Sequence, residues 1–255
     1  MVLLAGFMAV SAGTARAFEA SGEGGVDILT NYVWRGQNLV NDGMVLQPTL
    51  GITTDSGFGM NFWANYVTKK VDDTSGGEIH ESGESTETDL TLNYGTSRGK
   101  VSLEVGYIHY DLKDVEDTQE VYFTLSYDTF LSPSLTYYHD FDEGNGGFLV
   151  ASVGHSFGLP REMSLDLGAS ASYNFDNEIM GVDEDGDEFT DFYNGEVSAA
   201  LNIPVTKNIT IVPKLAYSFP LSNDADDAIE AINDASGTGT EEDVLYGGVG
   251  VYFSF

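Results

Sequence analysis

The sequence predicts an all-β protein, a transmembrane antiparallel up-and-down β-barrel of about twelve strands. Three observations predict it. Apolar and polar residues alternate with period two in segment after segment, the connections between segments alternate short and long, and the chain opens on an apolar leader and closes on a phenylalanine. Successive side chains of a strand face opposite sides, so such alternation makes one greasy face and one wet face.

Residues 1–17 read as a secretion signal and residues 18–255 as the barrel. Val2 to Ala12 is apolar and Ala15-Arg16-Ala17 is a small-x-small cleavage site, so Phe18 is expected to begin the mature chain. No Lys or Arg precedes the apolar run, which departs from the usual leader. The run is too short for a membrane-spanning helix.

Each segment then has its own justification. In 25–36, Asp27, Asn31 and Arg35 share one parity. Segments 44–54 and 58–69 flank the turn tripeptide Asp55-Ser56-Gly57 and align Gln47 and Thr49, then Asn61, Trp63 and Asn65. Segments 87–96 and 100–111 meet at Ser97-Arg98-Gly99; Asp89, Asn93 and Glu104 form the polar parity, and Val101, Leu103, Val105 and Tyr107 the apolar one. Segments 118–127 and 132–142 carry Glu120, Tyr122, Tyr138 and Asp140, and 147–157 follows. In 163–175, Met163, Leu165, Leu167, Ala169, Ala171, Tyr173 and Phe175 oppose Ser164, Asp166, Gly168, Ser170, Ser172 and Asn174. Segment 189–203 holds Asn194 and Glu196, and in 208–220 Leu215 and Tyr217 oppose Lys214 and Ser218. The last, 244–255, lines up Leu245, Val249, Val251, Phe253 and Phe255, and so looks like the terminal strand read by the barrel-assembly machinery of Gram-negative outer membranes.

Each segment is about ten residues, the length of a tilted strand across a bilayer. Short turns on one side and long loops on the other, here 70–86, 176–188 and 221–243, match the asymmetry of outer-membrane barrels. Tyr32, Trp34, Tyr66, Tyr94, Tyr127, Tyr173 and Tyr217 near segment ends are expected at the membrane interfaces. A soluble β-sandwich alternates too, but would not sort its loops by side.

Composition excludes several classes. With 41 acidic residues against 10 basic ones, a net charge of −31 argues against nucleic acid and against a polybasic grip on lipid. At 42% hydrophobic residues the chain is too apolar for disorder. It has no cysteine, so no disulfide supports it.

From Thr30-Asn31-Tyr32-Val33-Trp34-Arg35-Gly36 onward the sequence resembles the TorF-family putative porins, outer-membrane proteins of largely unassigned function. Gln47-Pro48, Phe62-Trp63-Ala64-Asn65, Glu87-Thr88-Asp89-Leu90, Gly106 to Asp111, Glu120-Val121-Tyr122 and Tyr137-Tyr138 continue the likeness, which is best over 25–142. The resemblance implies a barrel and a porin-like role, and supplies no catalytic residue.

Lipid cannot satisfy polar groups, so the polar parity is expected to face the lumen. Arg35, Asn61, Trp63, Asp89, Glu104, Glu120, Asp140, Asp166, Glu196 and Lys214 are the candidate lumen-lining and selectivity residues. Glu104 and Glu196 are expected near mid-height, with Lys214 as counter-charge to Glu196. Carboxylates in a pore favour cations. The expected function is a porin-like channel of the Gram-negative outer membrane for small polar solutes, cation-preferring. The alternative is a non-conducting structural or interaction barrel. No cofactor is expected; lipid, lipopolysaccharide and the assembly machinery are the expected partners. Enzyme roles fare worse: Gly154-His155-Ser156 and His139-Asp140 each put the paired groups on opposite strand faces. Asp183, Asp185 and Asp187 resemble the start of a calcium loop but lack its later ligands, leaving loose divalent binding or a solvated acidic loop. Asp224 to Ala235 has an apolar stripe, Ala225, Ala228, Ile229 and Ile232, which predicts a short helix placed to fold over the mouth.

Overall fold

A computed structural model describes residues 20–41, 43–72 and 78–255 of the protein. The expected leader and Phe18 lie outside the described residues. In chain order the elements are β1 (Ala20–Leu29), β2 (Tyr32–Trp34), β3 (Gln37–Val40), β4 (Val45–Thr54), β5 (Phe58–Val67), β6 (Val71–Asp72), β7 (Glu78–His80) and β8 (Ser85–Arg98). Then follow β9 (Val101–Leu112), β10 (Thr118–Tyr127), β11 (Ser134–Asp140), β12 (Gly147–Gly158), β13 (Ser164–Phe175), β14 (Phe192–Pro204), β15 (Ile209–Pro220), α1 (Asn223–Ala235) and β16 (Val244–Ser254).

Twelve of these strands close a single antiparallel barrel in the order β1-β16-β15-β14-β13-β12-β11-β10-β9-β8-β5-β4. Apart from the closing pair, every neighbour in the ring is a neighbour in the chain once the two small hairpins, β2-β3 and β6-β7, are set aside. Closure comes from β1 on β16, in a register that sets Val26 opposite Val251. With the ring closed, no strand of it carries an unpaired edge.

The expected alternation holds on the barrel wall. Leu103, Leu167 and Leu215 point outward, and Leu215, 54% exposed, belongs to a broad outer band with Leu50, Phe62, Val105, Phe123 and Val249. Tyr66, Tyr94, Tyr127 and Tyr217 stand exposed toward strand ends. On the inner face lie Asp27, Asn61, Trp63, Asp89, Glu120 and Asn174, all buried. An apolar outside and a polar inside invert the soluble pattern and fit a barrel solvated by lipid. The turns at 55–57, 99–100, 128–133, 159–163 and 205–208 lie at one end with Ala20 and Phe255, the turn end; the other connections, among them the longest, 221–243, lie at the other, the loop end. Glycine shapes the inner wall where bulk must lie flat: a Cβ on Gly106 would sit 2.3 Å from the Tyr122 ring, which crosses that position to reach across the wall.

One predicted strand is corrected. The first wall strand ends at Leu29, earlier than the expected 36. Residues 30–41 leave the wall and form the β2-β3 hairpin, which packs inside the barrel. Tyr32 and Trp34, expected at a membrane interface, are interior. Tyr32 is buried against Trp63, with ring centroids 5.5 Å apart, and Leu29, Val40, Val45 and Val67 complete that cluster. The burial of this apolar set outweighs continuation of the strand, because each such side chain contributes about 1.5–3 kcal/mol when taken out of water.

Candidate functional site

The lumen has two unlike halves. Its loop-end half is filled, and its turn-end half is a chamber.

The filling begins with the hairpin. At its tip Arg35 and Gly36 take positive φ, 51° and 94°. A Cβ on Gly36 would lie 2.9 Å from Asn194 Cβ, so the tip presses on the opposite wall, where only glycine fits. Arg35 Nη2 donates to Glu120 Oε2 at 2.7 Å, in a pair whose side chains are 9% and 1% exposed. The guanidinium lies 4.4–4.7 Å from the ring centroids of Trp34, Tyr138 and Phe148. Tyr110 Oη donates to the same Glu120 oxygen at 2.8 Å. Tyr32 Oη donates to Glu87 at 2.5 Å. Removing one partner of a charge pair this deep leaves an uncompensated ion and costs about 3–5 kcal/mol.

A cap covers the hairpin. The expected helix is present as α1, started by Ser222, whose side chain accepts from the Ala225 N–H, and by acidic residues in its first turn. Asp226 in that turn has its carboxyl pushed above the usual range by partial desolvation and by Glu242 and Asp227. The stripe Ala225, Ala228 and Ile229 is fully buried against Phe148, Met180, Phe189 and Tyr193, so the helix does fold over the mouth. Polar contacts stitch cap to hairpin, the Asn38 N–H donating to Asn233 Oδ1 at 2.8 Å and Thr238 Oγ1 to the Asn38 carbonyl at 2.6 Å, and hairpin to wall, Gln37 Nε2 donating to Tyr193 Oη of β14 at 3.1 Å.

Beneath the hairpin, two cavities of about 780 and 850 Å³ share Ile108, Tyr138, Val150, Gly168, Glu196 and Ser198, and so form one continuous chamber. It reaches from Arg35 down to the turns at Asp55-Ser56-Gly57 and Thr96-Ser97. Glu23, Asp27, Glu104, Asp166 and Glu196 line it, with Lys214 as the basic group of its lower part. Tyrosines and amides hold these carboxylates: Tyr122 donates to Glu104 at 2.8 Å, Asn202 to Asp166 at 2.6 Å and Tyr246 to Glu196 at 2.7 Å.

The structure redistributes the sequence-predicted residues. Asp89, Glu104, Asp166, Glu196 and Lys214 line the chamber, and Trp63 lines its upper part. Arg35 lines it from the hairpin tip rather than from a wall strand. Glu120 is sealed beneath Arg35 and Tyr110. Asn61 is buried in the wall, where its Oδ1 accepts from Thr49 at 3.1 Å. Asp140 lines no passage: its carboxylate accepts from Thr118 Oγ1 and from the N–H groups of Asp142 and Gly144, and so shapes the loop after β11. Lys214 does not pair with Glu196; its Nζ lies 2.7 Å from Asp27 Oδ1, because the register sets Glu196 opposite Ser218, four residues farther along β15, where Tyr246 engages it. Glu104, fourth residue of β9, sits toward the turn end rather than at mid-height. Asp183, Asp185 and Asp187 do not converge on a cation position: Asp183 Oδ1 accepts from the N–H groups of the other two, and among the described residues no three acidic, His or Cys groups converge for a metal. His155 packs at a tilt on Phe130 and edge-on to Phe157, its Nδ1 2.6 Å from the Phe130 carbonyl oxygen.

Sequence reasoning missed Glu23, Glu87, Tyr110, Phe148, Tyr246 and Tyr252. Glu87 shares the parity of Asp89 and was open to detection on that ground. Arg35-Gly36, a turn-forming pair ahead of a polar Gln37-Asn38, was the available sign of the hairpin.

A closed twelve-strand barrel with an apolar exterior and a polar, partly filled lumen defines the class: this is a transmembrane up-and-down β-barrel. Residues 11–182 match the family described as "Bacterial protein of unknown function (Gcw_chp)", and the chain belongs to that family. No curated protein matches it in sequence. Among solved structures, the NanC porin is similar at a TM-score of 0.50 and 10% identity, over 92% of this chain and 99% of that one. An outer-membrane channel from Pseudomonas putida F1 aligns at 0.49 and 12%, over 97% of this chain and all of that one, 100%. At such identities the likeness speaks for the fold alone.

Proposed function

We propose that this protein is a porin-like channel of the bacterial outer membrane, of the TorF type, that admits small hydrophilic solutes and prefers cations. The turn end faces the periplasm, and the loop end, with its acidic loops, faces outward. The observation that carries the reading is the chamber: Glu23, Asp27, Asp55, Asp89, Glu104, Asp166 and Glu196 bring seven carboxylates to its lining, against Lys214 and the Glu120-paired Arg35. A water-filled cavity inside low-dielectric walls concentrates that negative field on a passing ion. The hairpin and α1 are then the gate at the outer mouth. Nothing in this role calls for a catalytic group or a cofactor. The strand ending at Phe255 serves recognition by the assembly machinery, and the outer acidic loops meet lipopolysaccharide phosphates through bridging divalent ions.

The filled loop-end half favours a second reading, a non-conducting structural or interaction barrel. Planar-bilayer recording of the refolded protein separates the two. Discrete openings with a cation-selective reversal potential support the channel. Silent membranes containing correctly folded barrel, shown by heat-modifiable gel migration, overturn it.

A further inference from the structure

The geometry points to a guanidinium-binding cage on the inner wall, occupied in this closed state by the protein's own Arg35, so that a solute carrying a guanidinium group competes with the plug and opens it. The inference rests on the channel reading for the route by which the solute arrives.

The cage belongs to the barrel and not to the plug. Tyr110 stands on β9, Glu120 on β10, Tyr138 on β11 and Phe148 on β12, four consecutive wall strands. Their register sets Tyr138 beside Phe148 and Thr118, two residues before Glu120, beside Tyr110. The inward side chains therefore form one contiguous patch whether or not the hairpin is in place. Trp34 alone among the rings around Arg35 would leave with the hairpin. What remains is a buried carboxylate oriented by a tyrosine hydroxyl, with two aromatic faces beside it.

That chemistry is selective. A guanidinium is planar, permanently charged and weakly hydrated; it stacks on rings and donates in a fork to a carboxylate. The bound state of such a group is displayed directly: Arg35 Cζ lies 4.7 Å from the Tyr138 centroid and 4.6 Å from that of Phe148, with Nη2 at 2.7 Å from Glu120. Its Nη1 is buried without an acceptor, so the tethered group leaves donor capacity unused in the cage. The chamber ends at this position, and its carboxylates draw a cation toward it. A tethered occupant lowers the apparent affinity of a free one by the fraction of time the cage is empty. The hairpin is also held by Tyr32 and Val40 in their apolar cluster, by Tyr32 on Glu87 and by polar contacts to the cap, so a free solute in the cage shifts the balance toward the withdrawn plug only by its own affinity for the emptied cage.

Calorimetric titration of the folded barrel with methylguanidinium tests the cage, with sodium chloride at equal ionic strength as reference. R35Q, which removes the tethered occupant, is expected to bind methylguanidinium at least about tenfold more tightly than the unaltered protein. R35Q/E120Q is expected to lose that binding. G36V, which displaces the hairpin tip while keeping Arg35, provides the second test if R35Q does not fold, and is expected to tighten binding in the same sense. In bilayers, methylguanidinium added to the unaltered protein should raise open probability where sodium does not. A folded R35Q or G36V that binds no better than the unaltered protein, or binding that survives R35Q/E120Q, overturns the cage. Binding to R35Q with silent bilayers keeps the cage and overturns the channel; conducting bilayers without binding do the reverse.

Discussion

Lys214 and Asp27 meet across the closure of the barrel. Lys214 on β15 reaches over β16 to place Nζ 2.7 Å from Asp27 Oδ1 on β1, and Tyr252 of the intervening strand donates to the same carboxylate at 2.7–2.8 Å. The first, last and penultimate strands are thereby joined inside the lumen. Asp27 is buried and Lys214 only partly exposed, so the pair stands between a surface pair, worth about 1 kcal/mol or less, and a sealed one. Its larger effect is on the field, since it cancels one of the chamber's negative charges.

Lys214→Met should therefore raise cation preference and leave folding nearly unchanged. Tyr252 continues to donate to Asp27, so the carboxylate keeps a partner. Reversal potential in a salt gradient reads the first effect and heat-modifiable migration the second. A shift toward anions would contradict the assignment of Asp27 as a field source.

Glu104→Gln should lower cation preference. Glutamine keeps an oxygen for Tyr122, which donates to Glu104 at 2.8 Å, so the change is one of charge and not of contact. An unaltered reversal potential would remove Glu104 from the selectivity elements and leave that role to the chamber's other carboxylates, Asp166 and Glu196 among them.

Leu215→Arg should destabilise the barrel by about 2–4 kcal/mol, because it puts a charge in the middle of the lipid-facing band. Lys214→Arg, one residue away and inward, should change stability little. Urea unfolding in lipid vesicles compares them. Equal losses would refute the assigned parity.

Gly36→Val should open the channel. At φ +94° a β-branched residue is strained by about 1–3 kcal/mol, and its Cβ meets Asn194 at 2.9 Å. The strain falls on the plug and not on the twelve-strand ladder, so single-channel conductance or open time rises while gel migration of the folded form is kept. Lost barrel folding would show that the hairpin is part of the closure rather than a gate.

The barrel was legible in the sequence because its cause is local and repeated. A strand's side chains alternate by geometry, lipid accepts only the apolar parity, and turn residues mark each reversal; Glu104, Asp166, Glu196 and Lys214 could be placed inward, and Leu103, Leu167 and Leu215 outward, from neighbours alone. Helix α1 was legible for the same reason, from its stripe Ala225, Ala228 and Ile229. The partners of those inward groups were not. Which carboxylate Lys214 meets depends on the stagger of strands around the closed ring, and the stagger chose Asp27 over Glu196. The plug was hidden more deeply. Residues 32–40 alternate enough to continue a strand, and what turns them inward is the burial of Tyr32 on Trp63 and the seating of Arg35 on Glu120, contacts with side chains far along the chain. Local periodicity determined the wall; long-range packing inside it decided which half of the lumen is filled, because the free energy that bends the chain off the wall exists only once the wall is there to receive it.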